Sequence, residues 1–181
     1  MLDEIIQVKA DSELIYSEAE VERALDKLAD DITENLHKTN PVLLCVLNGG
    51  IITAGRLLTR LHFPLMVDSI NATRYQNQTS GGSIKWLLKP SEPLAERTVL
   101  IVDDVLDEGI TLAAVKEYCF EQGAVAVHVA VLLDKNIGRA KPIQADFVGL
   151  TVPNRYLFGY GMDYKGYLRN TAGIYACRED N

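Results

Sequence analysis

The chain has 181 residues, with 48% hydrophobic and 24% charged residues and 18 Lys+Arg against 25 Asp+Glu, a formal net charge of −7. That composition supports one globular domain with a sizeable core, excludes a disordered or collagen-like chain, and provides no basic footprint for nucleic acid or an anionic membrane surface. Cys45, Cys119 and Cys177 are widely spaced and form no C-x-x-C pair, so reduced thiols in the cytoplasm are expected rather than a zinc site or a disulfide framework.

The start, Met1 to Ile6, is acidic where a secretory signal is basic, and no apolar run is long enough to span a bilayer. A short strand is expected over Ile5 to Val8. Ser17 with Glu20 three positions later predicts a capped helix start, with Tyr16 stapled onto Val21. Val21, Leu25, Leu28, Ile32 and Leu36 then fall on one helical face. Pro41 to Leu47 is a continuous apolar run fitting a strand buried on both faces. Asn48-Gly49-Gly50 follows as a tight turn into a helix from Ile51 to His62, which stops before Pro64. With a strand over Leu65 to Ile70, a βαβ unit is complete.

After Arg74-Tyr75 comes Gln76 to Ser83, polar and without periodicity. Its residues alone fit a plain surface loop or an active-site lid. A buried strand over Thr98 to Val102 leads to a helix from Gly109 to Gln122, with Leu112, Val115 and Cys119 at helical spacing and Gly123 as its stop. Strands are then expected over Val125 to Leu133 and Phe147 to Leu150. The alternation predicts a mostly parallel sheet covered by helices. From Pro153 onward the chain is irregular and tyrosine-rich, as a cap or hood rather than another sheet layer. His37, His62 and His128 read as structural, since none belongs to a catalytic constellation.

In an open parallel sheet, ligands bind beyond the carboxyl ends of the strands. Here one such end carries Asp103, Asp104, Asp107 and Glu108 within six positions. Dipole complementation at a helix start accounts for Asp107 and Glu108, whereas the adjacent Asp103 and Asp104 are better suited to hold hydroxyls or a hydrated metal. Asp107 to Thr111 opens the helix, so free backbone N–H groups and the Thr111 hydroxyl can cradle a phosphate. Carboxylates beside an anion site suggest a sugar phosphate.

The stretch Val99 to Leu112, VLIVDDVLDEGITL, resembles the phosphoribosyl-pyrophosphate motif of the type I phosphoribosyltransferases. Ala145 to Leu150 and Pro153 to Tyr164 resemble the purine-binding region of the hypoxanthine-guanine phosphoribosyltransferases. The resemblance implies an α/β fold: a parallel sheet with helices on both faces and a small hood formed by the N- and C-terminal segments. It implies a single domain over 1–181, with a core over about 15–150 and a hood from about 1–14 and 151–181. It further implies magnesium-dependent purine salvage, in which hypoxanthine or guanine and phosphoribosyl pyrophosphate give IMP or GMP and pyrophosphate, in a homodimer or homotetramer.

By the same resemblance, Asp107 is the general base near N7 of the purine. Asp103 and Asp104 face the ribose hydroxyls directly or through Mg2+, and Asp163 holds a second Mg2+. Glu108, Gly109, Ile110 and Thr111 form the 5′-phosphate cradle, while Leu47, Asn48 and Gly49 form the pyrophosphate turn, often with a cis peptide at Leu47–Asn48. Lys135 donates to the 6-oxo group, Tyr156 stacks on the purine, the Leu157 backbone reads its edge, and Arg169 pairs with pyrophosphate oxygens. Arg74 and Tyr75 begin the lid. Taken alone, Lys135 and Arg169 fit solvated charges and Tyr156 an ordinary aromatic.

Two positions depart from the commonest family pattern. Glu108 stands where many relatives have threonine, so its side chain must turn outward to leave only its N–H toward the phosphate; Asn48 replaces a lysine found in some relatives. Lys135 can only donate, which favours a 6-oxopurine over adenine. The competing readings are a transferase with another purine preference, a regulator that senses phosphoribosyl pyrophosphate on the same fold, and a phosphoacceptor receiver domain. The acidic charge and the lack of a DNA-binding segment oppose the regulator, and the aromatic hood opposes the receiver.

Overall fold

The computed structural model describes residues 1–74 and 84–178. In chain order the elements are α1 (Leu2–Asp11), β1 (Glu13–Tyr16), α2 (Glu18–Leu36), β2 (Val42–Val46), α3 (Ile51–Leu58), β3 (Met66–Arg74), β4 (Ile84–Leu88), β5 (Thr98–Leu106), α4 (Ile110–Glu121), β6 (Ala126–Asn136), β7 (Phe147–Pro153), β8 (Leu157–Phe158) and β9 (Ile174–Ala176). The main sheet has the order β4-β3-β2-β5-β6-β7. Its pairings are parallel except for the antiparallel edge strand β4. β2 sits between β3 and β5, so the strand order reverses there and a crevice opens at the carboxyl ends of β2 and β5.

The central strands are apolar on both faces because helices cover both. On one side Val21, Leu25, Leu28 and Ile32 of α2 and Leu57 of α3 pack with Leu43, Cys45, Leu100, Val102 and Leu132. On the other, Leu112, Val115 and Cys119 of α4 pack with Val42, Leu44, Ile101, Val129 and Val131. Burial pushes the Cys119 thiol up to about 12, so it behaves as an inert apolar group. The predicted start of α2 is present in full: Ser17 accepts from the Glu20 N–H, and the Glu20 carboxylate accepts from the Ser17 N–H.

Several expectations are corrected. Ile5 to Val8 is helical, within α1, where Asp3 and Glu4 in the first turn and Lys9 in the last complement the dipole and Ile5 is the buried residue. α3 ends at Leu58, four residues early, with the Thr59 hydroxyl donating to the Arg56 carbonyl. Strands β3, β5, β6 and β7 run beyond their apolar cores, and β4, an edge strand with little apolar burial, is additional. The hood contains a sheet of its own, β1-β9-β8, antiparallel throughout. Among the described residues, no helix is long and apolar enough to cross a membrane.

Hood and core are joined by Glu22 of α2. Its carboxylate accepts from the Tyr160 hydroxyl at 2.6 Å and pairs with Arg60 at 2.6 Å and Arg56 at 3.4 Å. Burial pushes the Glu22 carboxyl up, but the bonds from Tyr160 and Arg60 and the charge of Arg56 outweigh it and hold the group below its ordinary value. A lowered carboxylate contributes stability that is present above its unfolded value and lost as pH falls through the folded one. Glu22→Gln should therefore lower Tm by about 2–4 °C at neutral pH, corresponding to ~1 kcal/mol for a chain of this size. In thermal melts the difference from the parent should shrink to nothing below the ordinary carboxylate range.

Candidate active site

A cleft of about 460 Å³ opens at the carboxyl ends of β2, β5 and β6 beneath the hood. It is lined by Leu47, Asn48, Gly49, Asp103, Asp104, Asp107, Glu108, Gly109, Ile110, Thr111, Lys135, Tyr156, Leu157, Asp163 and Arg169. Arg74 is the last residue of β3, paired with Ile84 across the edge of the sheet, and Tyr75, with the expected lid over 76–83, lies outside the described residues.

The turn after β2 carries a cis peptide at Leu47–Asn48. Gly49 packs directly on the acidic strand end: a Cβ there would lie 2.3 Å from Asp104 Oδ2. The hood closes on the same turn, since a Cβ on Gly161, whose φ is +107°, would fall 2.0 Å from the Gly49 carbonyl oxygen. Only glycine permits such approaches.

Asp103 and Asp104 are part of β5 itself, not of a loop after it, because the ladder to β6 continues through Asp103↔Val131 and Val105↔Leu133 to Leu106↔Asp134. Asp104 is buried and Asp103 half-buried. Burial pushes the Asp103 carboxyl well up and the neighbouring Asp104 charge adds to it; Asp104 is also raised by burial, while Arg169 draws both down. The same carboxylates, after burial, raise the Cys45 thiol to about 11.

The ladder also explains the next pair. Asp107 and Lys135 each follow a residue of the rung Leu106↔Asp134, so their side chains emerge together and Lys135 Nζ lies 2.7 Å from Asp107 Oδ2. Beyond them α4 starts at Gly109, with φ of +79° and no side-chain cap on its N–H groups. α3 likewise starts at Gly50 without a side-chain cap. In contrast to α2, these two helix starts leave backbone donors; that of α4 lines the cleft, and α3 starts immediately after Gly49, which lines it too. The Glu108 carboxylate, at the edge of the cleft, pairs with Arg139 at 2.7 Å.

In the hood Tyr156 is exposed and meets Tyr164 edge-on, with ring centroids 5.6 Å apart. Leu157 is buried in β8. Arg169 pairs with Asp163 Oδ1 at 2.6 Å and donates to the Gly161 carbonyl, while the Gly166 N–H holds Asp163 Oδ2. Among the described residues no cluster of three or more His, Cys, Asp or Glu forms a metal cage. The two adjacent carboxylates nevertheless fit Mg2+, which binds through one or two carboxylates and takes its other ligands from water and substrate. Residues that sequence reasoning passed over are Arg139, Lys141 and Gly161. The first two follow Lys135 in a segment without a motif, and the φ of Gly161 has no sequence signal beyond its being glycine.

A model of the phosphoribosyl transferase domain matches residues 11–165, and the parallel sheet, acidic β5 end and uncapped α4 are those of a phosphoribosyltransferase. Among curated relatives, the hypoxanthine-guanine phosphoribosyltransferase of Bacillus subtilis (strain 168) is 32% identical over 158 residues, 87% of this chain and 88% of that protein. That of Streptococcus pneumoniae (strain ATCC BAA-255 / R6) is 32% identical over 168 residues, 92% of this chain and 93% of that protein. A mutant hypoxanthine phosphoribosyltransferase from Trypanosoma cruzi, solved with the product IMP, superposes with a TM-score of 0.85 at 27% identity, covering 93% of this chain and 92% of that one. The chain belongs to the hypoxanthine-guanine phosphoribosyltransferase family.

The raised carboxyls have a measurable consequence. A folded-state value above the unfolded one makes the ionised form a cost to folding, fully present above the folded value and absent below the unfolded one. Asp103→Asn, which removes the charge and keeps an acceptor for the Asp104 N–H, should raise Tm of the ligand-free protein by about 2–4 °C at pH 8. Melts across pH should show that gain fading into the acid range.

Proposed function

We propose that this chain transfers the phosphoribosyl group of phosphoribosyl pyrophosphate to N9 of hypoxanthine, and also of guanine, releasing pyrophosphate and IMP or GMP. The observation that carries the reading is the Lys135–Asp107 pair, a donor and an acceptor 2.7 Å apart at the cleft floor. A 6-oxopurine with its N7 protonated presents O6 and N7–H side by side, an acceptor and a donor that such a pair complements. Adenine offers an amino donor where Lys135 needs an acceptor.

Each remaining wall has a role in that reaction. The N–H groups of Glu108 to Thr111 and the Thr111 hydroxyl receive the 5′-phosphate. The turn Leu47-Asn48-Gly49 and Arg169 receive the pyrophosphate, for which a forked guanidinium is suited. Tyr156 stacks on the purine and the Leu157 backbone reads its edge. As N9 forms its bond to C1′ and the bond from C1′ to pyrophosphate breaks, Asp107 accepts the proton from N7. Asp103 and Asp104 orient the ribose hydroxyls and would hold Mg2+, with Asp163 a ligand for a second ion. Bound there, the ion would neutralise charge on the leaving pyrophosphate. Arg74 and Tyr75 begin a segment that shields the reacting ribose from water. The reduced thiols Cys45, Cys119 and Cys177 suit a cytoplasmic setting, and a homodimer or homotetramer is the assembly we infer.

The test is nucleotide formation from phosphoribosyl pyrophosphate and Mg2+ with hypoxanthine, guanine, xanthine or adenine. Hypoxanthine should turn over at least about tenfold better than adenine, and chelation of Mg2+ should stop the reaction. Equal use of both bases, or no product from any, would overturn the reading, the latter in favour of a sensor on the same fold. Asp107→Asn should cut kcat by about 100-fold or more while phosphoribosyl pyrophosphate still binds, as calorimetry would show.

A further inference from the structure

The segment after β6 carries a cation that the reaction above does not use. Lys141 Nζ donates to the Leu106 carbonyl at 2.7 Å and to Asp134 Oδ1 at 2.6 Å, with its side chain only 11% exposed. Leu106 and Asp134 form the last rung between β5 and β6. The next residue on each strand is Asp107 or Lys135, so Lys141 grips both strands one residue before the pair that faces the cleft. Its stem belongs to the same junction: a Cβ on Gly109 would lie 3.6 Å from Lys141 Cβ and 3.0 Å from Ile143 Cγ2.

The strands need such a tie at this point. β5 ends at this rung while β6 runs on, held by β7 through Lys135↔Val152 and Asn136↔Pro153, so beyond the rung no backbone ladder sets the spacing of Asp107 from Lys135, and a strand end is where local opening begins. The junction also borders a second opening of about 450 Å³, lined by Leu106, Asp134, Lys135, Arg139, Lys141 and Thr151 among others, so close packing does not brace it there. An ammonium largely removed from water is tolerated only with its partners in place, and its loss of hydration favours the arrangement that keeps both.

We propose that Lys141 is a positioning residue for base recognition: by bridging the Leu106 carbonyl and the Asp134 carboxylate, it holds Asp107 and Lys135 at the separation that matches O6 and N7 of a 6-oxopurine. It touches no substrate and acts through the end of β5 and the adjoining residues of β6. The inference rests on the phosphoribosyl-transfer reading.

Lys141→Met keeps the stem and removes the ammonium, and Lys141→Arg keeps the charge and its donors. In Lys141→Met, KM for hypoxanthine should rise about tenfold and kcat should fall, while KM for phosphoribosyl pyrophosphate stays within about twofold of the parent. Lys141→Arg should recover most of the lost kcat/KM. Amide hydrogen exchange on the ligand-free protein should accelerate in Lys141→Met over 104–108 and 134–136 and remain as in the parent over α2. An unchanged hypoxanthine KM overturns the proposal, as does a parallel rise in both KM values with exchange accelerated throughout the chain. If the parent turns over no purine, the functional reading fails, and hydrogen exchange alone then decides whether Lys141 ties the strands: local acceleration supports the tie and its absence overturns it.

Discussion

Gly161 of the hood, Gly49 of the β2 turn and Asp104 of β5 are stacked so closely that a Cβ on Gly161 would lie 2.0 Å from the Gly49 carbonyl and one on Gly49 would lie 2.3 Å from Asp104 Oδ2. Everything else in the cleft depends on this three-layer approach. It brings the hood residues Tyr156, Asp163 and Arg169 over strand ends that are remote from them in sequence. It also buries Asp104 and half-buries Asp103, which raises both carboxyls. A side chain at either glycine would have to push the hood off the core or the acid out of its place.

The cost is local and the compensation lies elsewhere in the fold. Two adjacent carboxylates withdrawn from water work against folding, while the core beneath them is apolar on both sheet faces and fully covered by α2, α3 and α4. The Glu22 junction with Tyr160, Arg60 and Arg56 holds the hood to α2. A site poised in this way is destabilised where it acts and stabilised at its attachments, the usual division between function and scaffold.

Much of this was legible in the sequence, for identifiable reasons. The capping box at Ser17 and Glu20 is a local interaction, so it is readable locally. The acidic strand end was visible because a helix start accounts for Asp107 and Glu108 but not for the adjacent Asp103 and Asp104. What escaped was set by neighbours. Apolar periodicity breaks at Asp103, yet β5 continues to Leu106 because its ladder to β6 is made by backbone and indifferent to side-chain polarity. β4 buries little and so carries no apolar pattern, and the hood strands β8 and β9 are two and three residues long, too short for any periodicity. Ile5 to Val8 reads as extended from its apolar residues, but it lies within α1, whose first-turn acids and Lys9 complement the helix dipole. Lys141 has no motif at all, and its two partners are 35 and 7 residues away.

Among the described residues, the cations that line the cleft are already paired: Lys135 is bound to Asp107 and Arg169 to Asp163. A substrate that engages these cations, as proposed, does not meet bare positive charge; it would swap into existing ion pairs, and each cation it gained would free a carboxylate that must find a new partner. Binding is thus an exchange of counterions rather than a net neutralisation. The resting cleft carries little long-range pull on a polyanion, and selectivity falls to the geometry of the swap, in which an incoming molecule has to satisfy both halves of every pair it opens.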